Sequence, residues 1–144
     1  MNAFEYASPA TTKEAIGLLN DRWGNAEILA GGTDLLSLMK NHVVTPKRVV
    51  NIKGITELGG IRETPAGIRI GALTTLQALH DFKPIRDEFH SLAHAAASVP
   101  SQQIRNMGTL GGNLCLDTRC TYYNQTHEWR QAISFCMKAP AATG

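Results

Sequence analysis

The chain has 144 residues, a length typical of one compact domain, with 43% hydrophobic and 18% charged residues. The formal net charge of +2 comes from 14 basic and 12 acidic side chains without a basic cluster, which does not favour nucleic-acid binding. No secretory signal and no apolar run of the ~20 residues that span a membrane are visible, and three cysteines are an odd count, so we expect a cytoplasmic protein without a membrane partner.

The first part of the chain, residues 1–55, predicts alternating strands and helices. Thr11 and Glu14 have the spacing of a capping box, and apolar residues then recur at helical periods. The expected elements are a strand at 4–7, a helix at about 12–23, a strand in "AEILAG", a helix from Asp34 to about Asn41 and a strand at 48–52.

The second part, residues 56–118, opens with two alternating segments separated by Pro65, which predict an antiparallel pair of strands. Thr74 and Gln77 indicate a capped helix that runs through Phe82. A further helix rich in small residues, "EFHSLAHAAASV", stops before Pro100.

Two glycine pairs occur in the chain, and the first lies where a strand turns into a helix. In "LAGGTDLL", glycine allows left-handed dihedrals and close approach of a phosphate to backbone N–H groups. Thr33 can add a hydroxyl donor, whereas Asp34 is suited to capping the helix or to binding a ligand hydroxyl. A tight turn without a ligand is the common explanation of a single Gly-Gly-Thr sequence.

The second pair, in "GTLGGN", is bracketed by Thr109 and Asn113. Two such loops, one from each half of the chain, favour a shared diphosphate over two unrelated turns. Neither G-x-G-x-x-G after a strand nor G-x-x-x-x-G-K-[ST] occurs, so a Rossmann fingerprint and a P-loop are absent. Asp117 is a further candidate, as an acceptor for the ring system or ribose of a dinucleotide, with a turn aspartate as the alternative.

The segments "LAGGTDLL" and "IRNMGTLGGNLC" resemble the FAD-binding medium subunit of the molybdenum hydroxylase (xanthine dehydrogenase) family. The resemblance implies an α+β fold of the PCMH type, with FAD in the cleft between two small α/β subdomains. It also implies that the FAD contacts are Leu29, Ala30, Gly31, Gly32, Thr33, Asp34, Leu35, Val99, Thr109, Leu110, Gly111, Gly112 and Asn113.

The three cysteines have the spacing C-x4-C-x15-C, for which buried free thiols are the common explanation. The surrounding "DTRCTYYNQ" and "FCMK" resemble the β subunit of 4-hydroxybenzoyl-CoA reductase, a branch of the same family with an inserted 4Fe–4S loop. The resemblance matches Cys120 and Cys136 to the first two cluster ligands and Cys115 to a non-ligand position. Residues 119–144 would then begin this insertion without its other two ligands, so we expect a C-terminally truncated subunit without a complete cluster.

By this resemblance the chain is the flavoprotein subunit of an oxidoreductase, and the molybdenum chemistry takes place on a partner. The implied partners are a molybdopterin-binding large subunit and a 2Fe–2S small subunit, between which FAD relays electrons. We therefore expect no catalytic acid, base or nucleophile here. Two alternatives stay open: a truncated scaffold or assembly module that folds without FAD, and the flavin subunit of another molybdenum hydroxylase.

Two other patterns are weaker. His90 and His94 are four apart on a predicted helix, but without a third ligand a polar helix face is the better interpretation. Arg105 is either a phosphate-positioning residue or a solvated salt-bridge arginine.

Overall fold

A computed structural model describes residues 1–19, 24–116 and 127–135. The strands in this part of the chain are β1 (Glu5–Ala7), β2 (Ala26–Leu29), β3 (Arg48–Asn51), β4 (Ile61–Thr64) and β5 (Gly67–Ile70). The helices are α1 (Thr12–Leu18), α2 (Leu35–Lys40), α3 (Leu76–Asp81), α4 (Lys83–Glu88), α5 (His90–Ala97), α6 (Gln102–Met107), α7 (Leu110–Leu114) and α8 (His127–Ala132). A 3₁₀ turn, Thr56–Leu58, follows β3.

The first three strands form a parallel sheet in the order β1-β3-β2. Successive side chains of a strand face opposite sides of its sheet. Val50 accordingly packs with Ala15 of α1, whereas Val49 packs with Met39 of α2. Both valines are almost completely buried, so β3 is the centre of this three-layer unit. The alternation of strands and helices predicted from the sequence is confirmed.

The second unit packs a β-hairpin against helices. β4 and β5 pair antiparallel with Ile61 opposite Ile70, and both isoleucines pack against a core built from α3, α4 and α5. The buried members of that core are Leu76, Leu79, Ile85, Ala93 and Ala96. The antiparallel pair around Pro65 is therefore confirmed.

Several predicted boundaries are wrong. The first helix ends at Leu18 because Leu19 has extended backbone dihedrals. One half of the predicted capping box is confirmed by the Glu14 N–H to Thr11 Oγ1 hydrogen bond of 3.2 Å, whereas the Glu14 carboxylate accepts from the Ala10 N–H instead of that of Thr11. The second capped helix begins one residue later than expected. Thr75 accepts from the Ala78 N–H, whereas Thr74 is buried and donates to Gly60 O at 3.0 Å.

Four short helices, α4, α6, α7 and α8, were not predicted from the sequence. Pro84 lies in the first turn of α4, a position that proline tolerates because its missing N–H has no helical partner there. The second glycine pair, expected in a loop, lies inside α7. No helix in the described ranges has the length and apolar character to cross a bilayer.

Candidate functional site

The carboxyl ends of the parallel strands bring residues of three segments to one edge. Asn51 Nδ2, at the end of β3, donates to Ser8 Oγ after β1 at 3.3 Å. Lys53 Nζ donates to Ala30 O after β2 at 3.2 Å. Open parallel sheets commonly bind ligands outside the carboxyl ends of their strands. Lys53 was not among the candidates from the sequence, although its place directly after the third predicted strand indicates this edge.

The first glycine pair has a separate structural reason for each residue. Gly32 has φ +76°, in the left-handed region that favours glycine. A Cβ on Gly31 would stand 2.0 Å from Met107 O, so the chain at Gly31 lies directly against the end of α6. Glycine is thus required at position 32 by the left-handed backbone conformation and at position 31 by the close contact with the Met107 backbone.

The first glycine loop also leaves backbone donors unused. The β2–β3 ladder ends with the Ile52 N–H donating to Leu29 O at 3.1 Å, and the chain then leaves the sheet. Within the described part of the chain, the N–H groups of Gly31, Gly32 and Thr33 have no hydrogen-bond acceptor. A run of backbone N–H groups around a left-handed glycine is the arrangement that binds anions in many proteins.

The backbone N–H groups around the second glycine pair, in contrast, have acceptors within the protein. Thr109, buried at the start of α7, accepts from the Gly112 N–H at 3.2 Å, and its carbonyl accepts from the Asn113 N–H. The N–H groups of Leu110 and Gly111 donate to Thr74 O and Ala72 O at 2.9 and 2.8 Å. The first turn of α7 therefore offers no free backbone donor, because all four of its N–H groups already have acceptors.

Close packing explains Gly111. A Cβ there would lie 2.8 Å from the Ala72 Cβ and 2.9 Å from the Ala72 carbonyl oxygen. Beyond it, Asn113 is exposed and its carboxamide has no partner in the described ranges. The part of α7 that a ligand can reach is this side chain rather than the backbone.

The two glycine segments meet, as the sequence analysis expected. Besides the contact of Gly31 with Met107, a Cβ on Gly108 would lie 3.7 Å from Thr33 Oγ1. The second segment is fixed to α3 by the Leu76 N–H, which donates to Gly108 O at 3.0 Å. The donors of the first glycine loop therefore lie at the boundary of the two packed units.

Val99, Arg105 and Asp34 were also candidates from the sequence, and the structure shows the contacts that each of them makes or lacks. Val99 is half-buried against the core of the second unit, and its carbonyl accepts from Arg105 Nη1 at 2.9 Å. Arg105 also donates to Gln77 Oε1 at 2.9 Å, so it joins α6 to α3 and α5. Neutral protein oxygens hold Nε and Nη1 of this side chain, and it forms no salt bridge within the described residues. Asp34 precedes α2 but makes no side-chain capping hydrogen bond.

Leu29, at the end of β2, is buried and packs with Met39, and the half-buried Leu35 joins the same cluster. His90 and His94 are exposed on α5. No group of three or more His, Cys, Asp and Glu side chains in the described residues is placed to hold a metal ion. Asp117, Cys120 and Cys136 lie outside the described residues.

A surface hollow of about 360 Å³ lies elsewhere, beside α1. Its lining contains no residue of either glycine segment and is formed by Ser8, Pro9, Glu14, Gly17 and Leu18. The Glu14 carboxylate in this lining already accepts a hydrogen bond from the Ala10 N–H at 2.9 Å. The hollow lacks the converging donors of the sheet edge, which is the better candidate site.

Residues 2–139 match the family described as the FAD binding domain in molybdopterin dehydrogenase. The chain belongs to this family. FAD is the family's cofactor, and the unpaired donors of Gly31, Gly32 and Thr33 fit the anionic diphosphate of that cofactor.

Relatives of established function agree with this assignment. The chain is 42% identical over 115 residues to the nicotinate dehydrogenase FAD-subunit of Eubacterium barkeri. It is 38% identical over 111 residues to the carbon monoxide dehydrogenase medium chain of Hydrogenophaga pseudoflava. These matches cover 79% and 77% of the chain and 39% of each relative, so the chain spans about two-fifths of their length.

Solved structures show the same fold. The carbon monoxide dehydrogenase of Hydrogenophaga pseudoflava that lacks the Mo-pyranopterin moiety matches with a TM-score of 0.74 and 37% identity, over 78% of this chain and 39% of that one. Quinoline 2-oxidoreductase of Pseudomonas putida 86 matches with a TM-score of 0.71 and 34% identity over the same shares. The mixed α/β fold expected from the resemblance is therefore confirmed.

Proposed function

We propose that the chain is the FAD-binding part of the flavin subunit of a molybdenum-containing oxidoreductase. The observation that carries this proposal is the run of unpaired N–H groups at Gly31, Gly32 and Thr33, at the carboxyl edge of the parallel sheet. Bound FAD would supply the one- and two-electron chemistry of a relay. The protein residues bind the diphosphate and hold the flavin in place.

The proposed contacts fall into three groups. In the first glycine loop and its flanks they are Leu29, Ala30, Gly31, Gly32, Thr33, Asp34 and Leu35. In the second segment they are Thr109, Leu110, Gly111, Gly112 and Asn113, and Val99 and Asp117 complete the set. Because the N–H groups of α7 are internally satisfied, we assign ligand contact there to the exposed Asn113 carboxamide, and we assign to Gly111 the packing of α7 on Ala72.

The division into subdomains is part of the same proposal. Residues 1–55 would form the first FAD-binding subdomain, residues 56–118 part of the second, and residues 119–144 the start of an iron–sulfur-loop-like insertion. The separate cores around Val50 and around Leu79 support the first two units.

The finer proposal is a 4-hydroxybenzoyl-CoA reductase-like complex with a molybdopterin-binding large subunit and a 2Fe–2S small subunit. It is supported by the tail "DTRCTYYNQ" and by Cys120 and Cys136. Relatives named for carbon monoxide, nicotinate and xanthine make another molybdenum hydroxylase the competing assignment. Assay of the purified complex with 4-hydroxybenzoyl-CoA and with these three substrates separates the two.

The visible spectrum and the released-flavin content of the purified chain, prepared without oxygen and supplied with FAD, test the main proposal. Near-stoichiometric FAD would support it. A colourless protein that stays flavin-free in excess FAD would contradict it and favour the scaffold or assembly alternative.

A further inference from the structure

Lys53 ties the first glycine loop to β3 beyond the end of the sheet ladder. The last ladder hydrogen bond joins the Ile52 N–H to Leu29 O, and one residue further on Lys53 Nζ donates to Ala30 O at 3.2 Å. The backbone of Lys53 is itself held, because its N–H donates to Asn51 Oδ1 at 3.2 Å. The lysine side chain thus reaches the loop from a fixed point on the neighbouring strand.

Because the peptide group is planar, this contact also fixes the orientation of the loop backbone. The Ala30–Gly31 peptide is trans, so its N–H points opposite to its C=O and both lie in one plane. A hydrogen bond that fixes the direction of Ala30 O therefore also fixes the direction of the Gly31 N–H. The Cα of Gly31 is packed closely against the carbonyl of Met107, since a Cβ there would stand 2.0 Å from Met107 O.

We propose that Lys53 is a positioning residue that holds the Gly31 N–H in the orientation needed to bind the FAD diphosphate. This inference rests on the proposed function of the first glycine loop. Lys53 acts through the peptide group, and its charge is not required next to the phosphate. Preorganised donors bind more tightly because their ordering cost is removed before the ligand arrives.

The orientation of the loop is tested first without flavin. Lys53→Met removes the donor and keeps an unbranched apolar stem, whereas Lys53→Arg keeps a cationic donor of similar reach. Lys47→Met is the matched control, since Lys47 is an exposed lysine at the amino end of the same strand β3. Backbone order parameters from ¹⁵N relaxation should fall at Gly31 in Lys53→Met and stay at the wild-type value in Lys53→Arg and Lys47→Met. Unchanged order and chemical shift at Gly31 in Lys53→Met would overturn the inference.

Affinity for FAD gives the second readout. Loss of one such hydrogen bond predicts a Kd about tenfold weaker in Lys53→Met, with wild-type affinity in Lys47→Met and most of it restored in Lys53→Arg. Because positioning does not depend on screened charge, the ratio of the Lys53→Met and wild-type Kd values should be the same at roughly 0.05 M and 0.5 M salt. A ratio that approaches one at high salt would show direct charge attraction and overturn the positioning role.

The two proposals fail in different ways. A wild-type chain that ignores FAD would contradict the proposed function, and the flavin-free order parameters would still decide whether Lys53 orients the Gly31 peptide. A wild-type chain that binds FAD, with Lys53→Met equal to it in both readouts, would contradict only the role of Lys53.

Discussion

Gly31 lies against the carbonyl group of Met107 with no room between them for even a methyl group. This contact joins the loop after β2 to the end of α6, two segments far apart in the chain. It places the unpaired donors of the first glycine loop beside the second glycine segment. The sheet edge and the helical unit therefore form one candidate FAD site.

Gly31→Ala should lower the free energy of unfolding by about 1–3 kcal/mol, because the added methyl forces the backbone of Met107 to move. Urea denaturation followed by circular dichroism measures this loss. Gly17→Ala is the control, since a Cβ there meets nothing within 4 Å. That change should raise stability by up to about 1 kcal/mol, because Gly17 lies inside α1. Equal stability of the two variants would contradict the close contact at Met107.

Gly32→Val should abolish FAD binding, since valine at φ +76° is strained and its side chain would press on Leu29 and Leu36. Fluorescence titration with FAD measures the affinity. Gly112→Val differs, because its Cβ would contact only Thr109 Oγ1, at 3.0 Å. We expect that variant to weaken FAD binding through the cap of α7 while the fold persists. Wild-type affinity in both variants would contradict a site formed by two glycine segments.

Thr109→Val should destabilise the protein by about 0.5–2 kcal/mol, because the Gly112 N–H loses its capping acceptor inside the fold. Thr109→Ser keeps the hydroxyl and should retain most of the stability. Thermal unfolding monitored by circular dichroism compares the variants. A valine variant as stable as the wild type would contradict a contribution of the cap.

Acid should weaken a contact between α1 and the turn after β3. The hydroxyl and backbone N–H of Thr12 donate to Glu57 Oε1, and they lower the pKa of this carboxyl below its ordinary value of 4.5. The unfolded chain then binds the proton more readily. The contribution of Glu57 is therefore complete above pH 4.5 and is lost as the pH falls through the lower folded pKa.

Glu57→Gln removes this titration, so its stability should fall less between pH 5 and pH 3 than that of the wild type, as judged by urea midpoints at each pH. Glu63→Gln, an exposed change on β4, is the control. A wild type and a Glu57→Gln variant with parallel pH profiles would show that the contact with Thr12 does not contribute.

Local sequence patterns correctly predicted the helices and strands whose formation depends mainly on residues within the same segment. The parallel unit followed from apolar strands alternating with capped helices, and Val49 and Val50 show the two-sided burial of a central parallel strand. The helix cap at Thr11 was predicted correctly because Thr11 and its donor Glu14 lie within one helical turn. The start of α3 was misplaced because Gln77 gives Thr74 the spacing of a capping box, whereas the fold buries Thr74 and turns its hydroxyl to Gly60 O.

The site was harder to predict because its geometry depends on distant contacts. The sequence indicated both glycine segments, but it could not show that Thr74 and Ala72 accept the N–H groups of α7. Nor could it show that Arg105 is held by carbonyl oxygens near the end of α5 and by Gln77. Lys53 was missed because its partner Ala30 follows a different strand, and no spacing rule connects them.

The assignment of the diphosphate site to the first glycine loop is tested most directly by mapping the backbone amide shifts of the ¹⁵N-labelled chain as FAD is added. We predict that the Gly31, Gly32 and Thr33 amides shift strongly to lower field, as their unpaired N–H groups donate to the diphosphate. The amides of Leu110 and Gly111 should move less, because they keep their protein acceptors. Saturating FAD that leaves the first three amides unmoved would contradict the assignment of the diphosphate site to the first glycine loop.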